Sequence, residues 1–188
     1  MSNSYLIKKI VNGINRNFIK NKNIDYFRCV IDDFSKNDYM SMLEEFKTSK
    51  SERVSCYQTL NSYGYSKYNL YRNNNYEINL IEWNKGAKSL VHNHPPNGCV
   101  IKLIDGSLLE DRYDHTINSN KTHIEHTQRN IIIPIHSFNK TQTHSYYIDC
   151  LHSVTNINND KSYSLHLYSP PNFVPETYEH PPSILVGK

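Results

Sequence analysis

From Tyr76 onward the apolar runs of this chain are short, and turn residues cut them at close intervals. Tyr76–Trp83, Cys99–Ile104, Ser107–Tyr113 and Ser162–Tyr168 each have the length and composition of a strand. Between them stand Asn73-Asn74-Asn75, Asn84-Lys85-Gly86, Pro95-Pro96-Asn97-Gly98, Asp105-Gly106 and Asn158-Asn159-Asp160. Many short strands joined by tight turns fold as a sandwich or a barrel. The 15 tyrosines, set against 6 phenylalanines and 1 tryptophan, favour strands further. The first 50 residues differ. Leu6, Ile7, Ile10, Val11, Ile14, Phe18 and Ile19 recur at helical spacing, which predicts a helix over 4–19. Tyr26, Phe27, Val30, Ile31 and Phe34 predict a second helix, and Met40, Leu43 and Phe46 a short third. The expected fold is mainly β. Residues 1–50 form helices packed on one side of a barrel of residues 51–188, in one domain.

One segment of the strand-rich part carries chemistry. Gly86 to Gly106 reads G-x5-H-x-H-x4-C-x6-G, with His92, His94 and Cys99 at the named positions. Two histidines two residues apart on an extended segment point to the same face. If that face lines a barrel, two imidazoles converge, and His152 offers itself as a third. Three neutral imidazoles bind a first-row transition metal and leave coordination positions open, as a catalytic site requires.

Composition narrows the partners. The net charge of +3 is small, and no basic block alternates with aromatics, so nucleic acid is not expected. No apolar run is long enough to cross a membrane. The N-terminus lacks the pattern of a signal peptide, so Cys29, Cys56, Cys99 and Cys150 are expected as reduced thiols in a cytoplasmic monomer. Cys29 reads as a core residue, Cys150 as a possible core thiol and Trp83 as structural. His123 and His126 read as surface residues. His115, His136, His144 and His180 have no partner by spacing.

The His92–Gly106 segment resembles the first cupin motif, with Cys99 where many cupins carry a glutamate ligand. His152 and Asn156 match the H-x3-N ending of the second motif, without the P-x-G before it. Leu151-His152 and Leu165-His166-Leu167-Tyr168-Ser169-Pro170-Pro171 complete a pattern similar to the cysteine dioxygenase family of cupin thiol dioxygenases. The resemblance runs from about Tyr65 to Phe173. It implies a jelly-roll barrel and Fe(2+) on His92, His94 and His152. The implied reaction joins O2 to a small thiol to give a sulfinic acid. It implies Tyr168 as the catalytic phenol, oriented by His166, with a Cys99–Tyr168 thioether in part of the family and a cis Ser169–Pro170 bond. Relatives that act on cysteine clamp its carboxylate with an arginine in a Y-x-R element, and here that element is Tyr65-Ser66-Lys67. Lysine supplies a point charge where arginine supplies a fork. Arg72, at an odd offset from Lys67 on an extended strand, is expected on the opposite face. L-cysteine is the expected substrate, with 3-mercaptopropionate as the alternative. A non-catalytic cupin that senses or stores a metal or thiol is the reading from a different class.

Overall fold

The computed structural model describes residues 5–18, 24–49, 58–60, 63–118, 121–132, 143–146 and 150–179. Helices α1 (Tyr5–Phe18), α2 (Ile24–Asp32) and α3 (Lys36–Ser49) come first. The strands follow: β1 (Gln58–Leu60), β2 (Tyr65–Arg72), β3 (Glu77–Trp83), β4 (Val91–His92), β5 (Cys99–Asp105), β6 (Leu108–Asn118), β7 (Lys121–Ile132), β8 (Thr143–Tyr146), β9 (Leu151–Asn156), β10 (Ser162–Tyr168) and β11 (Thr177–Tyr178). They form two antiparallel sheets, ordered β1-β2-β3-β10-β5-β8 and β11-β4-β9-β6-β7.

Strand alternation gives the larger sheet two unlike faces. Ile78 and Leu80 of β3, Leu165 and Leu167 of β10, and Val100 and Ile104 of β5 point outward. They meet Ile10, Ile14, Phe27, Ile31, Leu43 and Phe46 of the helices in the main apolar core. The expected packing of helices against one side of the barrel is therefore correct. Ser35 opens α3 as a capping box, accepting from the Asp38 amide while the Asp38 carboxylate accepts from the Ser35 amide at 2.9 Å. Lys102 is buried on the same outer face. Its ammonium donates to the Ile31 carbonyl at 3.2 Å, lies 3.5 Å from the Asp32 carboxylate and sits over the Tyr39 ring. The lysine ties the sheet to the end of α2.

The inner face carries Glu77, Asn79 and Ile81 of β3, Ser164, His166 and Tyr168 of β10, and Cys99 and Ile101 of β5. It is largely polar and nevertheless buried, with Asn79, Cys99 and Ser164 at 0% exposure. Asn156 joins the sheets at one end. Its amide donates to the carbonyls of Trp83, Asn84 and Asp160, and its oxygen accepts from Ser162 Oγ at 2.7 Å. The asparagine of the H-x3-N motif thus holds loops together.

Three local expectations change. Cys29 is exposed, because on α2 it stands two residues from Phe27 and two from Ile31, on the side away from the core. The strand expected over 107–113 runs on to Asn118 and pairs with β7 along its length. The third concerns β2. Asn69 pairs with Asn79 and Tyr71 with Ile78, leaving Leu70 as an extra residue. This β-bulge shifts the phase of the strand by one residue, so Lys67 and Arg72 share the inner face. Cys56, His136 and His180 lie outside the described residues, as do the side chains of His115, His123 and His144. No described helix is long and apolar enough to cross a membrane.

Two turn glycines differ in a way that can be measured. Gly106 has φ +91°, and a Cβ there would lie 2.8 Å from Ser162 Cα. Gly86 has φ +72° with open space around it. Gly86→Ala should cost about 1–2 kcal/mol, the strain of the left-handed backbone alone. Gly106→Ala should cost roughly 3–5 kcal/mol, because Ser162 backbone must also move. Urea unfolding of the two variants, compared at equal m-value, checks the difference.

Candidate metal centre

The smaller sheet positions the histidines. β4 and β9 meet with His92 opposite His152, and His94 follows as the chain leaves β4. The three rings lie with centroids 4.5–5.4 Å apart, and one ligand atom of each lies within 4.8 Å of the others. His94 is 1% exposed and His152 0%.

Each ring is pinned through Nδ1. His92 Nδ1 donates to the Leu90 carbonyl, His94 Nδ1 to the Cys150 carbonyl and His152 Nδ1 to Glu110 Oε1, each at 2.9 Å. Carbonyl and carboxylate oxygens only accept, so each Nδ1 carries a proton, and a neutral ring held in this way turns a bare Nε2 lone pair toward the other two. His94 Nε2 and His152 Nε2 face each other at 3.1 Å. Two ring nitrogens at that distance are close enough for one cation to bind both. The donor set therefore fits a transition-metal ion. Burial, with His152 alongside, holds His92 down at about 3, and burial holds His94 well below its ordinary value. Both rings are neutral at physiological pH, as metal ligation requires.

Glu110 is the anchor behind the centre. It is fully buried on β6, and its second oxygen accepts from Asn130 Nδ2 at 3.2 Å and lies 3.2 Å from Arg112 Nε. A carboxylate on the far nitrogen of a ligand histidine fixes its tautomer and raises its basicity. The sequence reading missed Glu110. The signal was present in Leu108-x-Glu110-x-Arg112, which puts a carboxylate on the same strand face as an apolar Leu108.

The larger sheet supplies a phenol. Tyr168 of β10 stands opposite Cys99 of β5 and hydrogen-bonds both the Cys99 thiol and His166 Nδ1, the latter at 3.0 Å. The structure thus brings together the two residues proposed for a thioether. Ser164 Oγ lies 2.8 Å from His166 Nε2 and accepts from Trp83 Nε1 at 2.8 Å. Trp83, expected to be structural, is therefore tied to the tyrosine through two side chains. Ser164 was also missed, although it precedes His166 by the same two residues that separate His166 from Tyr168. Burial, joined by Cys99, raises the Tyr168 phenol well above its ordinary value, and burial raises the Cys99 thiol. Both stay protonated at rest. Cys150 is half-buried beside Cys99 and Tyr168, and its carbonyl serves His94. The Ser169–Pro170 bond is cis.

Lys67 also reaches this face. Its ammonium lies 4.7 Å from the centre of the Tyr168 ring and donates to Glu77 Oε1 at 3.1 Å. Arg72 binds the other oxygen of Glu77 at 2.9 Å, so the expected separation of Lys67 and Arg72 on opposite faces is wrong. The bulge at Leu70 is the cause. Tyr65 packs on Trp83 with ring centres 4.7 Å apart, on the same face, and its phenol is close enough to Tyr168 to act on it electrostatically. His126 is on the surface, bound with Arg129 to Asp111, and has no part in the centre.

A family model described as cysteine dioxygenase type I matches residues 24–180. The chain belongs to that family. It is 28% identical to cysteine dioxygenase type 1 of Rattus norvegicus over 145 residues, which cover 74% of this chain and 68% of the relative. It is 26% identical to the Homo sapiens protein of the same name, with the same coverage. Among solved structures, an RmlC-like cupin from Shewanella frigidimarina superposes with a TM-score of 0.43 and 13% identity, over 63% of this chain and 86% of that one. As a member of the cysteine dioxygenase family, the chain is a cupin barrel and an enzyme of the thiol dioxygenase type. The reading as a non-catalytic cupin falls with that membership.

Glu110→Gln keeps an acceptor for His152 and removes the charge. Metal affinity should fall by roughly tenfold to a hundredfold. Competition with a chromophoric chelator, using cobalt(II), measures it, and an unchanged affinity would show that Glu110 does not tune the centre.

Proposed function

We propose that the protein is an iron(II) thiol dioxygenase that adds both atoms of O2 to the sulfur of L-cysteine, giving cysteine sulfinic acid. The observation that carries the reading is the pairing of two sites across the barrel. On one wall stand three imidazoles with their Nε2 lone pairs converged. On the other stands a buried phenol held by His166 and touching Cys99. A simple metal store has no use for the phenol.

His92, His94 and His152 would hold the iron. Bound there, iron(II) would supply the redox chemistry by which a thiol and ground-state O2 combine. Three neutral ligands would add no negative charge, which would favour a substrate that binds as an anionic thiolate. Tyr168 offers its proton to the developing sulfur–oxygen unit. Trp83 gives its only hydrogen to Ser164, which leaves the Ser164 hydroxyl free to donate to His166 Nε2. His166 then carries its proton on Nδ1 and donates to the Tyr168 oxygen, so the phenol hydrogen points away from His166. Lys67 meets the substrate carboxylate. The lysine in place of an arginine fork also favours a second reading, in which another small carboxylate-bearing thiol such as 3-mercaptopropionate is the substrate. Cys99 and Tyr168 form a thioether, losing two hydrogens to O2 during turnover.

The reading is tested by anaerobic iron(II) loading followed by O2 uptake with a panel of thiols. His152→Ala should lose most of its iron and its activity while keeping the fold by circular dichroism. Iron at wild-type occupancy in that variant would remove His152 from the ligand set. Tyr168→Phe should keep its iron and lose about a hundredfold in kcat.

The thioether has its own readout. After aerobic turnover the intact mass should fall by two hydrogens, and a second monomer band should appear on a denaturing gel. Cys99→Ser should give one band with reduced activity. An unmodified Cys99–Tyr168 pair after extensive turnover would refute the cross-link.

A further inference from the structure

The inner face of the barrel carries a buried carboxylate that the proposed reaction does not use. Glu77 is 2% exposed, on β3 directly opposite Tyr168 of β10. Its Oε1 accepts from Lys67 Nζ at 3.1 Å and from Asn79 Nδ2 at 3.1 Å. Its Oε2 accepts from Arg72 at 2.9 Å. Burial alone would raise the Glu77 carboxyl, but Lys67, Asn79 and Arg72 outweigh it and hold it below the usual range. The residue is therefore an anion. The Lys67 ammonium, bound to Glu77, sits over the Tyr168 ring, where a thiol bound beside the phenol would place its other end.

A substrate carboxylate that reaches Lys67 shares it with Glu77. Two anions on one ammonium repel, and the repulsion needs no special geometry. Glu77 also steadies Lys67, which favours binding by a smaller amount, because the lysine side chain is about one-third exposed and its ammonium rotates freely among three donors. The full like charge outweighs the partial ordering of one flexible side chain. Arg72 sets the balance by neutralising Glu77 from the far side.

We propose that Glu77 is a specificity-determining residue that weakens the site's preference for carboxylate-bearing thiols and so admits aminothiols that lack a carboxylate. The proposal rests on the thiol dioxygenase reading. Its substrates differ only in one group: L-cysteine carries the carboxylate and cysteamine does not.

The test is the ratio of kcat/KM for L-cysteine to that for cysteamine, measured by O2 uptake on the iron-loaded enzyme. Glu77→Gln should raise the ratio about tenfold, through a lower KM for cysteine and an unchanged KM for cysteamine, whereas any effect on kcat through the Tyr168 phenol is common to both thiols and cancels in the ratio. Glu77→Asp should restore the wild-type ratio. Arg72→Gln, at a half-exposed position with little risk to folding, should lower the ratio severalfold, because it leaves Glu77 uncompensated. A ratio that falls in Glu77→Gln would show that Glu77 serves to position Lys67, and overturns the proposal. A ratio unmoved by both Glu77→Gln and Arg72→Gln overturns it as well. Wild-type turnover of cysteine with either of those results leaves the dioxygenase reading standing. No O2 uptake with any thiol overturns that reading and this inference with it.

Discussion

The main apolar core of this protein lies outside its barrel. Val100, Leu165, Leu167, Ile78 and Leu80 face the helices, and that burial holds the larger sheet in place. The opposite face of the same strands is thereby released from packing at the end where the site lies, while at the other end Ile81, Trp83 and Leu103 pack with Leu108, Ile132 and Val154. It accommodates Glu77, Asn79, His166 and Tyr168, none of which could form a stable core. Every other feature of the site depends on this division of labour. Were the helices absent, both faces of β3, β5 and β10 would have to be apolar or wet.

Buried polar groups are tolerated because nearly all of them are bonded in rows. Trp83, Ser164, His166 and Tyr168 hand hydrogen bonds along one inner face. Asn69, Asn79, Glu77 and Arg72 do so along another part of it. On the smaller sheet the Leu90 and Cys150 carbonyls and Glu110 fix the imidazoles. Partners of this kind remove rotational freedom before any ligand arrives. The site is organised by acceptors two residues or one strand away.

Much of this was legible in the sequence, for reasons that separate local from non-local information. Period-two spacing put His92 with His94, and His166 with Tyr168, on common faces, and those pairs do share them. Helical spacing gave α1 to within a residue at each end. Cys29 was misjudged because a nine-residue helix offers too few apolar positions to fix its buried side. Glu110 stayed hidden because it reaches His152 over a separation of 42 residues, and only strand pairing brings them together. Trp83 reaches Ser164 across 81 residues in the same way. The face of Arg72 was misread because a bulge leaves no dependable mark in composition.

That bulge has a bearing on how such a pocket can change over generations. Leu70 is one residue of slack in β2, and the strand on its far side is read one step out of phase. Losing that one codon would leave Asn69, Tyr71 and Arg72 in step with Asn79, Ile78 and Glu77, so Arg72 would stay in the cavity on a strand without a bulge. A relative can therefore differ in length here and keep the same cation in the same place. A column-by-column comparison of residues would record that event as a gap, and the spacing between Lys67 and Arg72 would change although neither had moved.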